Sequence, residues 1–348
     1  MTNRLHIHEG LPAGLTDCDA RTLAHQLGGP SLIHVPGHCQ PPLLVSVLLH
    51  GNETSGWEGV RRLLAELPAS NARLPRSLIL FIGNVEAAAA GVRTLPHQQD
   101  FNRIWGGAQG PEGELAREVL AALAGRTLFA AVDLHNNTGQ NPHYAVVTNL
   151  QRDNLGLAYL FDDKAVYVRE PATVMTRSFA DRCPAIALEL GPIGDPRCDD
   201  RAFDYVKRCL NLQHIPPPDP ARLQMFRTEA RVHIADGVPF SFAGEDESFP
   251  LVLTGGLEAV NFHDLAAGTE FAVTRYASTE AFRVLDVQHR DVTARYFALA
   301  GSSVLLRQSV IPAMYTTDPL VIRQDCLCYF MERMPLTLDV VPQEPQPG

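Results

Sequence analysis

The residues best suited to chemistry in this chain are His50 and Glu53, in His50-Gly51-Asn52-Glu53, and His135, in Asp133-Leu134-His135-Asn136. Two imidazoles and a carboxylate, with a fourth position left for water or substrate, is the ligand pattern of catalytic zinc. The i, i+3 spacing of His50 and Glu53 lets one turn aim both side chains at one ion. Zn²⁺ suits this donor set best, one ion per chain, although Co²⁺ or Mn²⁺ can occupy such a site in vitro. Asp133 lies two residues before His135, so on a strand it faces the same way. It either buttresses the imidazole from behind or caps the following turn. Hydrolysis also needs a base. Ala185-Ile186-Ala187-Leu188-Glu189-Leu190-Gly191 sets one carboxylate in an apolar run, where burial raises its pKa toward the range useful for proton transfer. A His-x-x-Glu alone is a weak signal among thirteen histidines. A second histidine at a strand end and a glutamate in an apolar strand sharpen it.

These side chains need rigid carriers. Leu43 to Leu49, Leu78 to Ile82, Leu128 to Leu134 and Ala185 to Leu190 are short apolar runs, read as strands buried on both faces. Trp57 to Leu67 has helical spacing, with Ser55 and Glu58 placed to form a capping box. Pro111 to Leu123 and Asp199 to Leu212 are also read as helices. Strands alternating with helices predict an α/β domain with a mixed, mostly parallel sheet flanked by helices. In such sheets ligands bind beyond the carboxyl ends of the strands, and His50, His135 and Glu189 all fall at such ends. Ile215 to Pro220 is Pro-rich and reads as a stiff linker. The expected organisation is a catalytic domain over 1–214, a linker at 215–220, a smaller β-rich domain over 221–338 and a disordered tail at 339–348.

Composition excludes several classes. The chain has 348 residues, 45% of them hydrophobic, and a net charge of −10, which argues against a nucleic-acid partner. Seven cysteines at irregular spacing fit a reducing compartment better than a disulfide framework. The Cys326-x-Cys328 pair reads as two buried side chains, with metal binding as the alternative. There is no apolar leader and no run of the length a membrane span needs. A cytoplasmic protein without a membrane partner is expected, and a homo-oligomer is compatible with the sequence.

Four motifs in order, His-Gly-Asn-Glu, Asp100-Phe101-Asn102-Arg103, Asp-Leu-His-Asn and Leu-Glu-Leu-Gly-Pro, resemble the aspartoacylase/succinylglutamate desuccinylase family. The likeness runs from about residue 43 to 195. It implies a zinc carboxypeptidase-like domain followed by a β-rich domain over the active-site channel. It also implies hydrolysis of a small, anionic N-acyl amino acid, of the N-succinylglutamate or N-acetylaspartate type, to a carboxylate and a free amino acid. By this resemblance His50, Glu53 and His135 are the zinc ligands. Glu189 is the glutamate that takes the proton of the attacking water and returns it to the leaving amine. Asn102 and Arg103 hold the substrate α-carboxylate, and Arg93 polarises the scissile carbonyl, although two extra residues separate it from the Asn-Arg pair. Arg177 matches the arginine that meets a second substrate carboxylate, again with two residues inserted, and Arg182 is its rival. Asn136, in Asn136-Asn137-Thr138, is on the aspartoacylase side of the pattern and joins the substrate-binding group. Guanidinium suits these roles because it binds carboxylate as a bidentate fork. Tyr315 is a candidate pocket tyrosine in the C-terminal region, with a core position as the alternative. The competing functions are a zinc carboxypeptidase on a small peptide or modified amino acid, and a metal-dependent binding protein without catalysis.

Overall fold

The apolar run ending at His50 forms the second half of a strand that is completely buried. The computed structural model of the chain describes residues 4–67 and 73–336, so the expected tail at 339–348 lies outside the described residues. The first nine strands are β1 (His6–Glu9), β2 (Ser31–Val35), β3 (Gly37–Val47), β4 (Leu74–Ile82), β5 (Ala130–Asn137), β6 (Tyr144–Val147), β7 (Lys164–Tyr167), β8 (Ala185–Pro192) and β9 (Gln224–Ile234). The runs read as strands in the sequence are β3, β4, β5 and β8, and these lie side by side in the order β4-β3-β5-β8, all parallel.

Alternation along β3 shows why the run is apolar throughout. Leu43, Val45 and Val47 pack with Trp57, Val60, Leu63 and Tyr205 on one face of the sheet. Leu44 packs with Phe81, Leu115, Val119 and Phe179 on the other. One face is thus covered by the helices Ser55–Ala65 and Pro196–Asn211, and the other by Gly110–Ala122 and Met175–Phe179. The first two helices approach closely at Gly59, where a Cβ would lie 2.6 Å from that of Ala202. No helix among the described residues is long and apolar enough to cross a membrane, and all seven cysteines are free.

The sheet does not stop at the Pro-rich segment. β9 pairs in parallel with β7, with Val166 opposite Phe226. Beyond it, β10 (Phe240–Phe242), β11 (Leu251–Leu253) and β12 (Glu270–Thr274) begin a second sheet, while β13 (Phe282–Asp286) returns to pair with β9. β14 (Phe297–Ala300) and β15 (Ser303–Leu306) complete the second sheet in the order β10-β11-β12-β15-β14. Finally β16 (Ile311–Ala313) and β17 (Cys328–Met334) add to the edge of the first sheet through β9. Among the described residues the first sheet has 12 strands, along the path β1-β2-β4-β3-β5-β8-β6-β7-β9-β17-β16 with β13 on β9. An aromatic core that includes Phe271, Phe282, Phe297 and Phe330 joins the two sheets.

Candidate metal centre and active site

The chain leaves β3 through Leu48, whose φ of 57° is rare for a side chain of this size and redirects the backbone into the His50 turn. That turn sits directly on a neighbouring helix: a Cβ at Gly51 would lie 2.2 Å from the backbone nitrogen of Ala88, so only glycine fits between His50 and Glu53. His135 arrives from the end of β5. Donor atoms of His50, Glu53 and His135 all lie within 4.8 Å of one another, and all three side chains are buried. This trio can hold a metal ion.

The orientation of the imidazoles is the most informative detail. His50 presents Nδ1 to Glu53 Oε1 at 2.8 Å, and His135 presents Nδ1 to Glu53 Oε2 at 2.8 Å. Behind them, His50 Nε2 lies 3.0 Å from Asp100 Oδ1, and His135 Nε2 lies 2.8 Å from Asp133 Oδ2. A carboxylate behind each ring accepts from Nε2–H and turns Nδ1 toward the centre, which is how metal-binding histidines are held. Asp133 is fixed in turn by the Ser46 hydroxyl, which donates to its Oδ1 at 2.7 Å from the neighbouring strand. The charges agree. Burial works against ionised Glu53, yet His50 and the hydrogen bonds from both imidazoles hold its carboxyl well below the usual carboxylate range. Burial likewise opposes charge on His135, but Asp133 and Glu53 push it well above its ordinary value. The site gathers one carboxylate and two ring nitrogens around one point, and the residues fit a divalent ion.

Glu189 stands beside this trio by strand register. His135 on β5, Glu189 on β8 and Tyr144 on β6 occupy one cross-strand row. Glu189 Oε2 is shut off from solvent and has no hydrogen-bond partner among the described residues. Burial pushes its carboxyl up to about 7, with His135 opposing and Glu53 adding to the rise. Arg93 bridges Glu53 Oε1 at 3.2 Å and Asp100 Oδ2 at 3.1 Å. Asn102 Nδ2 comes within 3.3 Å of His135 Nε2, and its Oδ1 accepts from the Met175 backbone at 3.3 Å. Arg103 follows with its guanidinium donating to the Asn102 carbonyl at 2.9 Å. The trio, Glu189, Arg93, Asn102 and Arg103 line one cavity of about 150 Å³. Residues 39–211 match the succinylglutamate desuccinylase/aspartoacylase catalytic domain.

The chain belongs to this family.

Among its relatives, succinylglutamate desuccinylase of Yersinia enterocolitica is 33% identical over 100 residues, a match that covers 28% of this chain and 30% of that protein. The matched segment therefore spans under a third of that relative's length. Of solved structures, succinylglutamate desuccinylase from Chromobacterium violaceum is similar with a TM-score of 0.54 at 20% identity, over 84% of this chain and 85% of that one. Murine aminoacylase 3 is similar with a TM-score of 0.53 at 18% identity, over 85% and 97% of the two chains. At these identities the likeness is one of fold.

Two expected members of the family site behave differently from the sequence reading. Arg177 does not line the cavity; its Nη1 donates to the Thr148 carbonyl at 2.8 Å. Its rival Arg182 donates to the Leu123 carbonyl and stacks over Phe179. In both cases a backbone carbonyl takes the guanidinium. Asn136 does reach the cavity wall, but its amide is engaged in bracing. Its Nδ2 donates to Ser55 Oγ at 3.1 Å and to the Gly191 carbonyl at 3.0 Å, while its Oδ1 accepts from the Ser55 backbone at 3.1 Å. The expected capping box is therefore replaced: Asn136 satisfies the helix start, and Glu58 pairs with Arg61. Asn136→Ala should cost ~1–3 kcal/mol of stability by leaving these groups unpartnered in the interior; an unchanged denaturant midpoint would contradict the bracing role. Tyr315 is 1% exposed in the aromatic core against Phe271 and does not line the cavity.

The sequence reading gave Asp100 no role of its own, although it opens a quoted motif. It contacts His50, Arg93 and the Asn102 backbone at once. Burial opposes its charge, but His50 holds its carboxyl well below the ordinary range. An acidic residue two positions before an Asn-Arg pair was the available signal.

Proposed function

We propose that this protein is a zinc-dependent hydrolase that cleaves the amide bond of a small N-acyl amino acid, releasing a carboxylate and a free amino acid. The observation that carries the reading is the pair of imidazoles turned Nδ1-inward around Glu53, with the unpartnered carboxylate of Glu189 in register beside His135. His50, Glu53 and His135 would hold the ion. When bound, Zn²⁺ supplies Lewis acidity, lowering the pKa of water to about 7 and polarising a carbonyl. Glu189 takes the proton of the attacking water, and its raised pKa suits it to hand that proton on to the leaving amine. Arg93, already facing the Glu53 carboxylate, supplies positive charge for the oxygen that becomes anionic. Arg103 and Asn102 hold the free α-carboxylate.

The N-succinylglutamate or N-acetylaspartate type requires a further cation for a second carboxylate. Arg177 is engaged with Thr148, so the reading here extends to an N-acyl amino acid with a free α-carboxylate.

Metal analysis followed by amine release from a panel of N-acyl amino acids tests the proposal. We expect about one zinc per chain, activity lost to a chelator and restored by zinc. A metal-loaded protein silent on acyl amino acids but active on dipeptides would favour a carboxypeptidase, and one silent on both would favour a binding protein. Arg103→Ala should raise KM by ~10- to 100-fold, as expected when a charged hydrogen-bonding group is removed, with a smaller change in kcat. An unchanged KM would remove Arg103 from the α-carboxylate.

A further inference from the structure

One wall of the cavity is made by a face of the main sheet that continues from Glu189 through β6, and its chemistry is set by register. Val146 on β6 stands beside Val166 on β7, and Thr228 on β9 stands beside Met331 on β17. Val168, Ala313 and Met314 extend this surface into the same cavity. Tyr144, Val166, Ala313 and Met331 continue beneath it into a buried apolar cluster with Phe226 and Phe262. The wall is thus mainly valine, methionine and alanine, with Thr228, Tyr144 and Tyr329 as its hydroxyl-bearing residues.

The charges near this wall have the wrong sign for an acidic substrate group. Among the described residues lining the cavity, the arginines are Arg93 and Arg103, and no lysine is present. The other charged residues beyond the metal trio and Glu189 are Glu170 and Asp325, both carboxylates. A further cation, Arg231, lines an adjoining cavity that shares Glu170, Thr228 and Tyr329 with this one. It lies over the Tyr329 ring at 5.2 Å and faces Asp325 at 3.8 Å. A second substrate carboxylate would meet apolar side chains, a few neutral hydroxyls and the carboxylates of Glu170 and Asp325, with no cation beyond Arg93 and Arg103 among the described residues lining the cavity. An unpaired buried charge is strongly unfavourable, whereas an apolar group gains from leaving water.

We propose that this cavity selects an N-acyl amino acid that carries a single carboxylate and is otherwise apolar, in preference to an N-acyl dicarboxylic amino acid. The inference rests on the reading of the site as an acyl amino acid hydrolase and deepens it. One carboxylate goes to Arg103 and Asn102, and the apolar remainder lies on the wall of Val146, Val166, Val168 and Met331.

The test is a panel on the zinc-loaded full chain: N-acetyl-leucine, N-acetyl-methionine and N-acetyl-phenylalanine against N-acetylaspartate and N-succinylglutamate. We expect kcat/KM for the best apolar substrate to exceed that for N-acetylaspartate or N-succinylglutamate by about 100-fold or more. Binding provides a second readout: N-acetyl-leucine should raise the Tm of the zinc-loaded Glu189→Gln variant, and N-acetylaspartate should not. Val168→Arg, at a half-buried wall position, should shift the preference toward N-acetylaspartate by about tenfold or more by supplying the missing cation. Equal or faster turnover of N-acetylaspartate or N-succinylglutamate would overturn this inference and leave the hydrolase reading intact. Failure of all five substrates would overturn both.

Discussion

Glu189→Gln is expected to lower kcat by ~10³-fold while leaving the zinc content unchanged, because the substitution removes a general base without touching a metal ligand. Glutamine preserves the shape of the side chain at the end of β8 and its place in the row between His135 and Tyr144. What it removes is an ionisable group whose Oε2 has no other partner. Metal analysis and kcat measured on the same preparation check this. A variant that keeps both zinc and near-normal turnover would exclude Glu189 as the proton carrier.

The same variant should reveal itself in stability. Burial raises the Glu189 carboxyl from 4.5 to about 7 in the folded chain. The folded state therefore binds this proton more tightly than the unfolded state. The associated stability is complete below about pH 4.5 and is lost as pH rises through about 7. A shift of this size corresponds to ~3 kcal/mol. Metal-free Glu189→Gln should thus be more stable than the metal-free parent at pH 8 and close to it at pH 4. Parallel urea titrations at the two pH values measure the difference; a pH-independent gap would contradict the buried-carboxylate account.

Glu53→Ala is the second large effect, and it acts on metal binding. Glu53 is 4% exposed and meets His50, His135 and Arg93 through its two oxygens. Alanine removes one of the three ligands and leaves both Nδ1 atoms facing a gap. Losing even a group behind a ligand weakens metal binding by ~10- to 100-fold, so loss of a ligand should exceed ~100-fold. Dialysed Glu53→Ala should retain almost no zinc and show no turnover. Retention of one zinc per chain would mean that the ion sits elsewhere.

The parts of the fold legible in the sequence share a physical cause. β3, β4, β5 and β8 are covered on both faces, so every position is apolar and the run is visible without knowledge of its partners. His50, His135 and Glu189 stand out in the sequence because they fall at or near the ends of such runs, with Glu53 in the turn beyond the first. β6 and β7 were not, because each has only four residues and gives little periodicity to read. The destinations of Arg177 and Asn136 also lay beyond the sequence: which carbonyl or helix start a long polar side chain finds depends on loops that no spacing describes. The apolar wall was hidden for a further reason. It is assembled from alternate residues of β6, β7, β9 and β17, and alternation alone does not say which face of a strand meets the cavity.

The pairing of β7 with β9 also bears on how the molecule can be cut. A chain ending at residue 214 would strip Gln224–Ile234 from β7 and leave Lys164–Tyr167 as a bare hydrogen-bonding edge. Open edges of this kind recruit strands from other molecules. The half that carries His50, Glu53 and His135 would thus be prone to self-association in place of the strand it had lost, and the later half works as its edge guard.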